Sequence, residues 1–296
     1  MQRVPFYIFY GFSWTITWLP LSVLYRFSTI IYYLIYFLVK YRRKVVRNNL
    51  TNAFPEKDIA EIIAIEKAFY RHLCDFFVET IKLLHISIDE MNKRLSFTNM
   101  EVFDRFYREG KSVILYTAHY GNWEWATFGG YVNEKKNKGN ISRPVYFALK
   151  NKYFDGLFYK FRSTFGSEPI ETKQVFRKII QLEREKALSV FTFVADQTPN
   201  RANIHHWITF LNQDTPVITG TERIAKQTGY AVVFFDIQPV KRGYYNIDAV
   251  LICEDARDLK EFELTEKYMR LVEKSIQKNP PYWLWTHKRW KHKRIN

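Results

Sequence analysis

The first forty residues contain the longest apolar stretches of the chain. Residues 4–25 include no charged side chain, Arg26 follows, and residues 27–39 are again uncharged before a basic cluster at residues 40–47. A bilayer span needs about 20 apolar residues, and Pro20 interrupts the first stretch, so that stretch predicts a kinked span or a re-entrant hairpin. The second stretch is short for a span and predicts a helix lying in the membrane interface. A buried hydrophobic hairpin in a soluble protein is the alternative.

The basic cluster also predicts orientation and domain organisation. Lys and Arg collect on the cytoplasmic side of membrane segments, so the chain after residue 47 is expected there. No small-residue cleavage site follows the apolar run, which argues against a cleavable signal peptide. We therefore predict a membrane-associated segment at residues 1–45 and one domain at residues 46–296.

The rest of the chain changes from a helical to a mixed pattern. Apolar spacing from Ile59 to Leu84 predicts one long amphipathic helix. Beyond residue 95, β-rich runs alternate with helical segments. The predicted strands cover residues 112–117, 144–149, 189–195, 231–237 and 244–252, and the predicted helices cover residues 122–136, 153–164, 172–185, 215–227 and 262–278. This alternation predicts an α/β fold with a mostly parallel central sheet flanked by helices.

Composition narrows the class of partner. The 45 Lys and Arg residues exceed the 30 Asp and Glu residues by 15, so an anionic partner is expected: nucleic acid, a phospholipid surface or an acidic protein. Aromatic residues make up 18% of the chain, and aromatics mixed with basic residues are typical of membrane interfaces. The sequence contains no zinc-finger spacing and no RNP-like strand, so we expect no nucleic acid. Cys74 and Cys253 support neither a disulfide framework nor a zinc site, and we expect no metal or cofactor.

The clearest candidate chemistry follows the first buried-type strand. That strand leads to His119, a turn containing Gly121, and Glu124 at the start of the next predicted helix. Folds of the α/β class place their chemistry at the carboxyl ends of such strands. A neutral imidazole is a suitable general base near pH 7 when a carboxylate holds its second ring nitrogen. The spacing alone also fits a capped turn with a structural histidine.

Residues 119–124 (HYGNWE), a histidine, four residues and an acid, resemble the HX4D/E signature of the glycerolipid and lipid A acyltransferases. The wider chain is similar to the late acyltransferases of lipid A biosynthesis, of the lauroyl/myristoyl type, which add a secondary acyl chain from acyl carrier protein. Four further blocks keep that family's order. They are RRKVVRNNL with AFPE at residues 42–56, Lys150-Asn151 with Asp155 and Arg162, ADQ at 195–197 with Arg201 and then Phe210, Leu211 and Thr215, and PYWLWTHKRW at 281–290.

The resemblance implies a mechanism, a location and partners. His119 would take the proton of the acceptor hydroxyl, Glu124 would orient the ring, and the alkoxide would attack the thioester without a covalent acyl-enzyme. Backbone amides after Gly121 are expected to stabilise the oxyanion. The implied location is the inner membrane with the catalytic body on the cytoplasmic side, and the implied partners are acyl carrier protein, a lipid acceptor and the membrane. The implied substrate-binding residues are Asn122, Lys150, Asn151, Arg162, Asp196, Gln197 and Arg201.

One position departs from that family. Many members carry Arg in the strand before the residue matching Asn151, whereas this chain has Phe147, so Lys150 or Arg162 is expected to supply the charge. The acceptor is therefore either a hydroxyl of a lipid A precursor or a hydroxyl of a glycerophospholipid, aminolipid or glycolipid. A catalytically silent membrane-surface protein is a further alternative, and the presence of both His119 and Glu124 argues against it.

Two features have more than one interpretation. Asp196 ends a predicted strand, and it could face the site, on the acceptor or holding Arg201, or equally well cap a turn. Basic and aromatic residues alternate from Lys288 to Arg294, which favours an interfacial anchor on anionic lipid over a solvated basic end.

Overall fold

A seven-stranded sheet forms the centre of the computed structural model, which describes residues 3–294. The strands are β1 (Leu95–Thr98), β2 (Val113–Thr117), β3 (Ile141–Tyr146), β4 (Ile170–Glu171), β5 (Ser189–Val194), β6 (Trp207–Phe210), β7 (Gln213–Pro216), β8 (Ala231–Lys241) and β9 (Tyr244–Cys253). The sheet order is β1-β9-β8-β2-β5-β3-β4, and β6 and β7 form a separate antiparallel hairpin. Strands β8, β2, β5, β3 and β4 run in one direction, and the antiparallel β8–β9 pair reverses β9 and β1. The predicted α/β class with a mostly parallel sheet is confirmed.

Helices flank this sheet and precede it. They are α1 (Arg3–Ile16), α2 (Leu21–Tyr33), a π-helical turn (Leu34–Val39), α3 (Arg43–Ala53), α4 (Ile59–Lys82), α5 (Ile88–Arg94), α6 (Glu101–Arg108), α7 (Phe128–Lys136), α8 (Lys152–Ser163), α9 (Val175–Arg184), α10 (Gly220–Thr228) and α11 (Glu263–Lys278). The predicted long helix corresponds to α4. It begins with a capping box in which Asp58 and Glu61 each accept the other's backbone amide hydrogen.

The central strands are buried on both faces, which explains their continuous apolar sequence. All five residues of β2 are buried. Ile114 and Tyr116 pack into one apolar layer with α9, α10 and α11, while Val113 and Leu115 pack into the other with α6, α7 and α8. The alternation of side chains along a strand therefore produces two cores, one on each side of the sheet.

The N-terminal helices pack along α4 through hydroxyl–carboxylate hydrogen bonds. Tyr25 donates to Glu79 Oε1 at 2.7 Å, and Tyr36 donates to Glu66 Oε1 at 2.8 Å. Both carboxylates are fully buried. Burying a carboxylate without hydrogen-bond donors costs free energy, so these bonds determine which face of α2 and of the π-helical turn packs against α4.

The opposite face of the N-terminal helices is apolar and exposed. Its large side chains are Tyr7, Ile8, Phe12, Trp14, Trp18, Ile30, Tyr33, Phe37, Leu38 and Val39. Among residues 3–294, one continuous helix, Leu21–Val39, is long and apolar enough to cross a membrane, a test that buried helices of soluble proteins also pass. The sequence predicted a long first apolar stretch that ends before Arg26 and a short second stretch after it, and this division is wrong in detail. The helices are divided at Pro20, between α1 and α2, and Arg26 lies exposed within the continuous helix Leu21–Val39.

Several predicted boundaries move by a few residues. Strand β3 ends at Tyr146, three residues before the predicted end, because residues 147–150 form an exposed loop. The segment predicted as the start of one helix, residues 215–216, instead ends β7, and α10 begins at Gly220. The shift of β3 places a loop rather than a strand at the carboxyl edge of the sheet, next to the end of β5.

Candidate active site

His119 and Asp196 meet because they occupy equivalent positions on neighbouring parallel strands. In the β2–β5 register Thr117 pairs with Val194, so each functional residue lies two positions beyond the last pair. Carboxyl ends of parallel strands share one edge of the sheet, and the loops there converge. His119 Nδ1 lies 2.8 Å from Asp196 Oδ1, and the His119 backbone amide donates to the same oxygen at 3.1 Å.

The hydrogen bonds of Asp196 determine the tautomer of His119. Asp196 is fully buried, and burial alone would raise the pKa of its carboxyl group. The facing His119 and the donors around the carboxylate more than offset this, so the pKa lies below its ordinary value. An ionised carboxylate only accepts hydrogen bonds, so Nδ1 of His119 donates to it, and Nε2 is the ring nitrogen that Asp196 does not hold. The pair therefore fixes which nitrogen of the ring is left for another partner.

The C-terminal segment, residues 281–290, supplies further hydrogen bonds to Asp196. Trp283 Nε1 donates to Asp196 Oδ2 at 2.7 Å, and Arg289 Nε donates to the Asp196 carbonyl oxygen at 2.8 Å. Leu284 N donates to the His119 carbonyl oxygen at 3.0 Å, so the segment contacts both members of the pair. The prediction of a basic interfacial tail is wrong for this part, since Trp283 and Arg289 are almost completely buried.

Arg289 places a positive charge inside the protein behind Asp196. Its side chain is fully buried, and that burial lowers the pKa of the guanidinium to about 10, although Asp196 opposes the shift. The two terminal nitrogens, Nη1 and Nη2, have no protein partner among the described residues. The cation thus balances the Asp196 charge in a region that solvent does not reach.

Glu124 is held by Arg162 and not by His119. Arg162 Nη2 donates to Glu124 Oε1 at 2.8 Å, and Arg162 Nε donates to Oε2 at 3.1 Å. This bidentate geometry is the preferred one for an arginine and a carboxylate, and α8 places Arg162 where it can form. Burial lowers the pKa of Arg162, but the charge of Glu124 outweighs that effect and the pKa is raised. The prediction that Glu124 orients the His119 ring is therefore wrong, because Asp196 occupies that position.

The turn between His119 and Glu124 has a defined geometry. Gly121 has φ 60°, and a Cβ atom there would lie 2.8 Å from Ile237 Cγ2, so no other residue fits without rearrangement. The Gly121 amide donates to the Tyr282 carbonyl oxygen at 3.0 Å. That amide is consequently occupied within the protein, and the role expected of the amides after Gly121 stays a prediction.

His119 and the Glu124–Arg162 pair line one cavity of about 820 Å³ whose wall is mostly apolar, whereas Asp196 is fully buried and is not among the lining residues. The polar residues of its lining include Thr117, His119, Glu124 and Arg162, and the aromatic ring of Trp123 lies beside them. Ligand pockets generally have volumes of about 300–1,000 Å³ and combine an apolar wall with a few polar groups. A second cavity of about 1020 Å³ shares Phe147, Thr172 and Arg223 with the first. The first cavity is large enough for an extended apolar ligand beside His119.

The remaining predicted residues fall into two groups. Asn122 is buried and holds the motif together, because its amide donates to Glu79 Oε2 at 2.7 Å and its oxygen accepts from Trp125 N at 3.1 Å. Asn151 caps α8 by accepting from the amides of Tyr153 and Phe154. Both side chains therefore have structural partners, and neither belongs to the cavity wall.

Lys150, Gln197 and Arg201 have fewer contacts. Lys150 is exposed in the loop after β3. Gln197 is buried beside Asp196, with its Nε2 atom 3.5 Å from Asp196 Oδ2. Arg201 is exposed at the start of a 3-10 turn and does not line either cavity, although its neighbour Asn200 lines the second. Asp196 thus contacts His119 and Trp283 and not Arg201.

Sequence reasoning did not assign roles to several residues that support the site. Glu79 accepts hydrogen bonds from Tyr25, Tyr245 and Asn122, and burial raises the pKa of its carboxyl group to about 7. His72 Nε2 lies 3.2 Å from the Gly121 carbonyl oxygen, and burial lowers the pKa of this histidine to about 4. Both lie on α4 among apolar positions. A charged residue in an otherwise apolar helical face is the signal that could have indicated them.

Comparison with known families identifies the family of the chain. The family model described as bacterial lipid A biosynthesis acyltransferase matches residues 1–292. No individual curated protein matches the chain. The family match covers nearly the whole chain, including the His119 and Asp196 loops and the C-terminal segment. The chain belongs to the bacterial lipid A biosynthesis acyltransferase family, whose members are acyltransferases.

Proposed function

We propose that the protein transfers a fatty acyl group from an acyl carrier protein thioester to a hydroxyl of a lipid A precursor, with His119 as the general base. The observation that carries this proposal is that His119 lies in the wall of a large apolar cavity and is held from behind by the buried Asp196. Family membership gives the reaction class, and the cavity supplies room for the acyl chain.

In this mechanism the acyl group passes directly from the thioester to the acceptor, with no covalent intermediate on the protein. His119 Nε2 takes the proton of the acceptor hydroxyl while the oxygen attacks the thioester carbonyl. The new C–O ester bond forms, the C–S bond breaks, and the proton on Nε2 passes to the departing thiolate. Asp196 stabilises the imidazolium in between, as a buried carboxylate does for a histidine base.

Arg162 supplies positive charge to the cavity wall. It lines the cavity, and its bidentate bond to Glu124 fixes the orientation of the guanidinium. Negative charge that develops on the thioester oxygen, or a phosphate of the acceptor, would be stabilised there. Glu124 then acts as a positioning residue for Arg162, which gives the acidic member of the HX4E motif a role that does not require contact with His119.

The proposed location is the cytoplasmic side of the inner membrane. Exposed apolar side chains on α1 and α2 support attachment by residues 1–45, and the basic residues 40–47 that follow support the orientation. The net charge of +15 is suited to an acidic donor protein such as acyl carrier protein.

An acyl-transfer assay with parallel acceptors tests this proposal. Purified full-length protein receives acyl carrier protein thioesters together with a lipid A precursor, or with lysophospholipids, an aminolipid or a glycolipid. We expect a product from the lipid A precursor. A product from another acceptor alone rejects the lipid A assignment and keeps the acyltransferase mechanism.

The same assay tests the base. We expect His119→Ala to reduce turnover by about 10²–10⁴-fold, the usual contribution of a general base, with an unchanged melting temperature. A near-normal rate in this variant would reject His119 as the base for any acceptor.

A further inference from the structure

A patch of exposed apolar residues lies at the mouth of the first cavity. We define the mouth patch as Phe147 and Leu149 in the loop after β3, Phe176 on α9, and the flanking basic residues Lys150, Lys152, Lys173 and Arg177. The exposed fractions are 71% for Phe147, 46% for Leu149 and 44% for Phe176, and all three also line the first cavity. Side chains that belong to both the cavity wall and the outer surface mark the place where a ligand enters.

The loop holds these side chains outward by defined bonds. The Leu149 amide donates to Asp155 Oδ1 at 2.7 Å, and Asn151 caps the following helix. Asp155 is therefore occupied by the backbone of the loop, and Glu171, the other nearby acid, is only partly exposed. The four basic residues are all exposed, so positive charge dominates the rim of the patch.

This patch is continuous with the apolar face of the N-terminal helices. Phe6 on α1 packs against Tyr153 and Phe154 on α8, with ring centroids 5.3 Å and 5.2 Å apart, and Tyr7 lies 5.9 Å from Tyr153 by the same measure. Tyr153 is two residues beyond Asn151, so α1 adjoins the end of the loop. Tyr7 and its neighbour Ile8 are 52% and 69% exposed.

We infer that the mouth patch is a second membrane-contacting surface, which inserts Phe147 and Leu149 among the lipids of an anionic bilayer. Exposed aromatic and aliphatic side chains with a rim of Lys and Arg match the boundary between acyl chains and anionic headgroups. An acidic protein would match the basic rim equally well, but the exposed Phe and Leu and the continuity with α1 favour a lipid surface. The inference deepens the proposed function, because an acceptor lipid could then enter the cavity directly from the bilayer.

A depth measurement on the full-length protein tests this surface without any substrate. In a Cys253→Ser background, where the remaining Cys74 is buried, Leu149→Cys carries an environment-sensitive fluorophore. The matched control carries the same label through Leu251→Cys, a 36% exposed position on β9 that lies outside the cavity wall. Each protein is reconstituted into phosphatidylglycerol vesicles that contain nitroxide-labelled lipid. We expect quenching at position 149 to exceed that at position 251 by at least about two-fold, as for a side chain at the acyl boundary.

Charge and partner are tested in the same system. We expect replacement of phosphatidylglycerol by phosphatidylcholine to reduce the quenching at position 149. In phosphatidylglycerol, the double variant Lys150→Gln with Lys152→Gln should also reduce this quenching. The control variant Lys135→Gln with Lys138→Gln, an exposed pair beyond the cavity, should leave it unchanged. Equal quenching at positions 149 and 251 overturns the inference. Shielding of the label at position 149 by acyl carrier protein, without lipid quenching, also overturns it and assigns the surface to the donor protein. These readouts involve no turnover, so they are decided separately from the proposed reaction.

Discussion

Trp283 and His119 bind opposite oxygens of one buried carboxylate. Trp283 Nε1 donates to Asp196 Oδ2 at 2.7 Å, and His119 Nδ1 lies 2.8 Å from Oδ1, which also accepts the His119 amide. Gln197 Nε2, 3.5 Å from Oδ2, is the fourth donor around this side chain, which therefore needs two accepting oxygens. This requirement explains why an acid, and not an amide, is found there.

Replacing Asp196 by Asn is expected to lower kcat by about 10²–10⁴-fold. An amide offers one accepting oxygen, so its NH2 group must face either His119 or Trp283, and the His119 tautomer is no longer fixed. Steady-state rates with a saturating acyl thioester measure the effect. The melting temperature serves as the folding control, and a rate within a few-fold of the wild type would contradict the role of Asp196.

Trp283→Phe tests the second oxygen of the same carboxylate. The donor from Trp283 lowers the pKa of Asp196, so its loss raises that pKa. We expect a decrease in kcat of about ten-fold, the effect of one hydrogen bond to a charged group, and a shift of the acidic limb of the kcat/KM profile to higher pH.

Trp285→Phe is the matched control for this variant. Trp285 is also fully buried and donates one hydrogen bond, but its acceptor is the Pro280 carbonyl oxygen. We expect this variant to lose stability without a shift in the pH profile. Identical profiles for the two variants would show that Trp283 contributes packing alone.

The Glu124–Arg162 pair is expected to show strong thermodynamic coupling. Arg162→Met leaves the Glu124 carboxylate, whose side chain is 4% exposed, without its partner. Breaking a buried pair in this way typically costs about 3–5 kcal/mol, whereas replacing both partners costs less. Denaturant titrations should therefore give a smaller destabilisation for Glu124→Gln with Arg162→Met than for Arg162→Met. Additive losses would indicate that the two side chains do not interact.

Glu79 is expected to make stability depend on pH. Burial raises its pKa from an ordinary 4.5 to about 7 in the folded protein. The folded state therefore holds a proton that the unfolded state releases, and the free energy of unfolding falls as pH rises from about 4.5 to 7. The loss is at most about 1.4 kcal/mol per pH unit, or roughly 3 kcal/mol in total.

The difference between wild type and Glu79→Gln isolates this contribution, because Gln carries no titrating proton. We expect the stability of the wild type, relative to Glu79→Gln, to decrease over that pH range. Denaturant titrations at pH 5, 6 and 7 measure it, and a constant difference would contradict a protonated Glu79 in the folded protein.

Strand periodicity predicted the sheet and the approach of His119 to its carboxyl edge. It could not predict that β5 lies beside β2, because strand order depends on contacts between distant segments. Without that order, Asp196 was equally compatible with a turn cap. The β2–β5 register resolves the ambiguity, since it places both residues two positions beyond their last pair.

Glu124 and Arg289 were harder to predict, for different physical reasons. The short spacing from His119 suggested a local pair, but Arg162 on α8 offers Glu124 a bidentate bond that no histidine can match. Alternating basic and aromatic residues at the C-terminus resemble an interfacial tail. Arg289 is buried because the backbone of Asp196 accepts its Nε hydrogen, and this contact has no local signature in the sequence.

The bonds from Trp283 and Arg289 to Asp196 also have a consequence during synthesis. A ribosome makes these two residues after every strand of the sheet, so a nascent chain with its sheet assembled still lacks the donors that fix the base. Termination between residues 279 and 282 would keep every strand and α11 but remove both donors. We expect such a chain to hold His119 and Asp196 without the bonds that fix the Asp196 carboxylate.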